Sequence, residues 1–192
     1  MTEEIEESIK KLVARNKLSE AITLAEGQIL LNPASDFVDA VGKNLLHLTD
    51  DLVDYLNRFF AGAENEIKVQ SLFAEMNGFT INCDSWYVDL FAFDRDEGLN
   101  DTDWLADDSY PAAVPLPITG LEDIQAIYEN YAEKWEDAAG EEAAHDCAAL
   151  ILLRVQELFN AAKGVAAQQL KWATLPIYVT SHDAYIELLY RA

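Results

Sequence analysis

Basic residues are scarce in this chain of 192: 13 Lys plus Arg stand against 35 Asp plus Glu, a formal net charge of −22. A surface so poor in cations has no means of neutralising a phosphate backbone or an anionic lipid surface, so nucleic acid and membrane are set aside as partners. Cysteine is almost absent. Cys83 and Cys147 lie far apart, with no CxxC or zinc-type spacing, and the expectation is two buried thiols in a reducing compartment. Only eight glycines occur, none arranged as a phosphate-binding loop, and no G-x-S-x-G elbow is present. The longest apolar run, Ala148 to Leu153, is far too short to span a bilayer. The opening Met-Thr-Glu-Glu-Ile-Glu-Glu is acidic where a secretory signal would be basic and then apolar. The expected location is cytoplasmic.

What the chain has in quantity is apolar and aromatic residues, 51% and 10% of the total. That suffices to bury a core and excludes a disordered chain. The length suits a single α+β domain over 1–192, with 1–33 as a helical hairpin that could stand as an appendage to a main body over 34–192.

The N-terminal half carries helical periodicity. Ile5, Ile9, Leu12 and Val13 mark one apolar face, and Leu18, Ala21, Ile22, Ala25 and Ile29 a second. From Leu12 to Asn32-Pro33 the pair resembles one degenerate tetratricopeptide-type unit, with Ala21-Ile22, Leu24-Ala25 and the closing Asn32-Pro33 where that pattern places them. No second unit is found, and such arrays need about three copies, so a plain αα-hairpin is expected. A long helix is then predicted from Ser35, as N-cap, to Phe60, and another from Glu64 to Met76, stopped by Asn77-Gly78.

Beyond Gly78 the period shortens to two. Phe79–Cys83 and Trp86–Phe93 read as a hairpin joined at Asp84-Ser85, the second strand apolar on both faces and therefore interior. After a long connection over 94–120, Thr119-Gly-Leu-Glu122 has capping-box spacing ahead of the stripe Leu121, Ile124, Tyr128, Tyr131 and Trp135, which Gly140 ends. A central buried helix is expected from Glu141 towards Trp172, and a second hairpin from Leu175–Thr180 and Ala184–Tyr190. The predicted fold is α+β: a helical N-terminal half, then an antiparallel sheet of about four strands, in two hairpins, packed against helices.

Catalytic constellations are not found. Cys147 sits in an apolar stripe, as a core thiol does. Ser181-His182-Asp183 contains the residue types of a triad, but three neighbours cannot hold its geometry. Glu142-x-x-His145 has the spacing of a helical metal pair without the second pair that a di-metal site needs, so a surface histidine is expected. His47 reads as a polar helix flank, and His182 lies in a predicted turn. No catalytic residue, metal site or cofactor is assigned.

The candidate site is the acidic loop. Seven carboxylates, Asp94, Asp96, Glu97, Asp101, Asp103, Asp107 and Asp108, surround Trp104 with Arg95 as their only base, and Pro111, Pro115 and Pro117 stiffen the rest of the connection. Its start resembles a calcium loop, but Leu99 and Leu105 occupy the positions where an EF-hand needs Gly and Glu. The expected role is partner binding: carboxylates steer a basic protein in, and Trp104 supplies affinity. The expected function is that of a non-enzymatic acidic interaction protein, of the immunity or inhibitor type. The alternatives are a metal-dependent enzyme using loop 94–108, or an inhibitor that mimics nucleic acid with rows of carboxylates.

Overall fold

The computed structural model describes residues 1–32, 35–79, 85–107, 109–132, 138–182 and 188–192. Two antiparallel helices open the chain, α1 (Glu3–Ala14) and α2 (Leu18–Ile29), reversed at Asn16. Their apolar stripes do what periodicity demands. Ile9 and Val13 of α1, and Leu18, Ala21, Ile22, Ala25 and Ile29 of α2, are buried, with Ile5 and Leu12 half-buried against the same core.

The long helix expected from Ser35 is divided. Ser35 does cap, its hydroxyl accepting from the Phe37 amide at 3.2 Å, but what it caps is a short 3-10 turn, Asp36–Ala40. Val41 is extended and Gly42 has φ +80, a left-handed conformation that no helix can pass through. A second 3-10 turn, Leu46–Leu48, then leads into α3 (Thr49–Ala63).

The helix expected over Glu64–Met76 is replaced at its end by a strand, β1 (Ser71–Met76). Antiparallel to it runs β2 (Tyr87–Phe93), with Phe73 opposite Phe91 and Glu75 opposite Asp89. Where the expected hairpin had Phe79–Cys83, the described residues pair β2 with β1. Phe79 lies buried in a turn, and 80–84 fall outside the described residues, Cys83 and Asp84 with them. The connection after β2 is less irregular than its prolines suggest. It holds a 3-10 turn, Asp103–Ala106, and two short strands, β3 (Tyr110–Pro111) and β4 (Leu116–Pro117), both antiparallel to the outer edge of β2.

Next come α4 (Glu122–Ala132) and α5 (Ala138–Ala166). Leu121, Ile124 and Tyr128 are buried as the stripe requires; Trp135 lies outside the described residues, and of the Tyr131 side chain nothing is described. Gly140 stands inside α5 and does not end α4, and α5 stops short of Trp172, which belongs to a 3-10 turn at Lys171–Thr174. α5 is the central buried helix: Leu150–Leu153, Val155, Leu158, Phe159 and Ala162 are all inside, and it packs on α2, α3 and β5 (Ile177–Ser181). A short β6 (Tyr190–Arg191) pairs antiparallel with β5; the rest of the strand expected over 184–190 lies mostly outside the described residues.

The fold is α+β, with five helices among the described residues, but the sheet is mixed. Its order is β3-β2-β1-β5-β6, with β4 also on β2, and β1 and β5 run parallel. The reason is connectivity. The chain passes through β2, β3 and β4 and then the α4–α5 crossover before it reaches β5, and a long crossover is what a parallel pair requires.

The α4 entry also departs from the expected capping box. Among the described residues Thr119 makes no cap; both Glu122 carboxylate oxygens accept the Gly120 amide at 2.9 Å. Gly120 has φ +89, and a Cβ there would stand 2.9 Å from His47 Cε1. Gly120→Ala should therefore cost about 1–3 kcal/mol, mostly as backbone strain because the exposed His47 ring can turn aside. Chemical denaturation giving unchanged stability would contradict this.

Candidate functional site

The two faces of the sheet have different covers. Leu72, Ala74, Met76, Val88, Leu90, Ala92, Ile177 and Val179 face the helices and are fully buried. The alternate residues, Phe73, Phe91, Phe93 and Tyr178, point to the other side. Among the described residues, none of the side chains in that apolar cluster comes from an α-helix. The cover is the acidic loop.

The loop is tied down from its first residue. The Gln70 side-chain amide donates to the Asp94 carbonyl, and the Ser71 hydroxyl donates to the Arg95 carbonyl at 2.6 Å. Trp104 then folds back onto the sheet. Its ring is 4% exposed, packed edge-on against Phe93 at 5.1 Å and Tyr178 at 5.4 Å, and its indole N–H donates to the Gly98 carbonyl at 3.2 Å. The sequence leads one to expect Trp104 to supply affinity for a partner; the structure buries its ring in the floor of the loop.

Asp96 is the second tie. Its carboxylate accepts from the Tyr178 hydroxyl at 2.5 Å, from Arg191 at 2.9 Å and from the Gly98 amide at 3.2 Å. Burial acts to raise this carboxyl, but these donors outweigh it and hold it below the usual carboxylate range. Burial, with Asp96 adding to it, pushes the Tyr178 phenol up to about 12.

The remaining carboxylates turn outward. Asp94, Glu97, Asp101, Asp103 and Asp107 are exposed, and Asp108 lies outside the described residues. Arg95 reaches Glu97 at 3.3 Å and Asp107 at 2.5 Å. Asp101 accepts the Asp103 amide at 3.0 Å, which fixes a local turn. Asp94 and Asp103 have no cation against them among the described residues. Among those residues, too, no three His, Cys, Asp or Glu converge in a way that could hold a metal ion.

A second acidic feature, which the sequence presents only as a solvated helix flank, lies at the β4 edge. A groove of about 540 Å³ runs between α3 and β4, lined by Leu48, Asp51, Asp54, Asn57, Arg58, Leu116, Pro117 and Thr119. Leu48 and Leu116 are buried beneath it, and Asp51 and Asp54 are exposed. Tyr55, on the same helix, donates to the Val114 carbonyl at 2.6 Å; burial, with the Asp89 carboxylate adding to it, pushes the phenol up to about 12.

Of the other residues with chemistry in them, Cys147 and His145 are engaged in packing. Cys147 is fully buried, its thiol pushed up to about 12 by burial. Contrary to the surface position expected, His145 is half-buried between α5 and α1, 3.9 Å from Glu6, while Glu142 pairs with the Met1 ammonium at 2.9 Å. His47 is exposed, and exposed His182 touches Glu75 at 3.2 Å. Among the described residues no helix is long and apolar enough to cross a membrane. Compared with known protein families, curated proteins and solved structures, the chain matches none.

Proposed function

We propose that this is a non-enzymatic acidic interaction protein that docks a basic protein partner, in the manner of an inhibitor or immunity protein. One observation carries the reading. The loop from Asp94 to Asp107 is held to the sheet by Trp104 and Asp96, while five further carboxylates stand outward on it, and Arg95 is the only base in that segment of sequence. A charge display fixed in advance costs little ordering when a partner arrives, and it draws a cationic surface in over a distance set by ionic strength. Trp104 and Asp96 act here by positioning the display, and Asp94, Asp101 and Asp103 meet the partner.

The test is to isolate the partner from native extract, purify it, and measure association rates at rising salt. The rate should fall at least about tenfold from low to high salt. The Asp94→Asn, Asp101→Asn, Asp103→Asn protein should associate more slowly and lose most of that salt dependence. A rate indifferent to salt sinks the reading.

A further inference from the structure

We propose that the groove between α3 and β4 receives a lysine or arginine side chain of a cationic partner segment, an inference that rests on the reading above and names where such a partner inserts. The lining is two-natured. Exposed Pro117, over the buried Leu48 and Leu116, gives the groove its apolar surface, and Asp51 and Asp54 stand beside it with Arg58 also in the lining. That is the complement of an amphipathic cationic side chain, whose methylenes lie along apolar surface while the charged head seeks a carboxylate.

The helix itself gives only part of this charge a structural reason. Asp50 and Asp51 stand in the first turn of α3, where the helix dipole favours them. Asp54 stands beyond that turn, three residues from Asp51, so the two like charges are neighbours on the helix surface and repel. Arg58, one turn further on, is placed to neutralise Asp54, yet its Nε donates to the Asp54 carbonyl at 3.3 Å, and among the described residues it forms no ion pair with the carboxylate. Two carboxylates on this groove are thereby left without an ion pair among the described residues, open to an external cation.

The facing edge excludes another occupant. Ile118 donates to Trp86 and Ala112 to Leu90, so the even-numbered amides here point inward to β2. The alternate positions, 115 and 117, are both proline and have no N–H to offer an added strand. The groove therefore takes side chains, not a strand.

The probes are acetylated tripeptide amides Ala-Arg-Ala and Ala-Lys-Ala, with Ala-citrulline-Ala as the uncharged control, titrated into the intact protein and followed by amide chemical shifts. Saturable shifts are expected for Leu48, Asp51, Asp54, Leu116 and Thr119 with both cationic peptides and not with the control. The Asp51→Asn, Asp54→Asn protein should bind at least about fivefold more weakly. The Asp94→Asn, Asp101→Asn, Asp103→Asn protein, retaining the groove, should bind as the wild type does. Shifts spread over all acidic surfaces without saturation, or unchanged affinity in the groove variant, overturn the assignment. The salt dependence of association with the whole partner decides the broader reading separately.

Discussion

Trp104→Ala should lower the stability by about 3–5 kcal/mol and release the acidic loop from the sheet. The magnitude reflects what the ring does. It fills the space over Phe93 and Tyr178, two aromatic rings on the sheet face opposite the helix-packed one. Edge-on aromatic pairs add about 0.5–1.5 kcal/mol beyond the area they bury. The indole N–H also closes the turn at Gly98, so its loss frees the loop at both of its bends. Urea unfolding measures the stability, and limited proteolysis between Asp96 and Asp107 reads the release. Trp104→Phe, which keeps an apolar ring and loses the donor, should fall between wild type and alanine. A loss below about 1 kcal/mol for Trp104→Ala would mean that the ring is a passenger on the loop and that other contacts hold it.

This role is within reach of the sequence, although its charge pattern points elsewhere. A strand apolar on both faces needs two covers. Phe91 and Phe93 announce the second face of β2, and the large apolar side chains in the acidic stretch 94–108 that follows it are Leu99, Trp104 and Leu105. Charge around the tryptophan obscures this, because exposed acids and a buried ring occupy one short segment.

The helices α1 and α2 are legible because their apolar spacing admits one period only, and α5 because its apolar arc runs too long for a strand. β1 is not. Val69, Leu72, Phe73 and Met76 recur at three-and-four spacing, so the same residues satisfy a helical stripe and a strand buried on both faces. Pairing with β2 on one side and β5 on the other decides between them, and that information lies far along the chain. With β1 taken for a helix, its parallel relation to β5 is out of reach as well. The groove is hidden for a related reason. Asp51 and Asp54 look like any solvated flank until Leu116 and Pro117 are brought opposite them.

Asp96→Asn should cost about 1–3 kcal/mol at neutral pH, since Arg191 loses its charged acceptor and Tyr178 its strongest one. The pH dependence separates this tie from general acidity. The folded-state value of Asp96 is depressed, so its contribution is fully present above the ordinary carboxylate value of 3.8 and is lost as pH falls through the folded value. Asp89 behaves in the opposite sense. Burial raises its carboxyl, so its ionised form destabilises the fold above that raised value, and acidification relieves the cost. Overall stability on acidification therefore mixes losses and gains, and a profile of the wild type alone cannot separate them. The difference between wild type and Asp96→Asn can: the gap should be widest near pH 7 and close as pH falls through the depressed value. Asp89→Asn should instead match or exceed the wild type at pH 7. Urea midpoints taken across the acid range test both signs, and an Asp96→Asn gap that stays constant down to about pH 2 would show that the carboxylate charge contributes nothing to holding the loop.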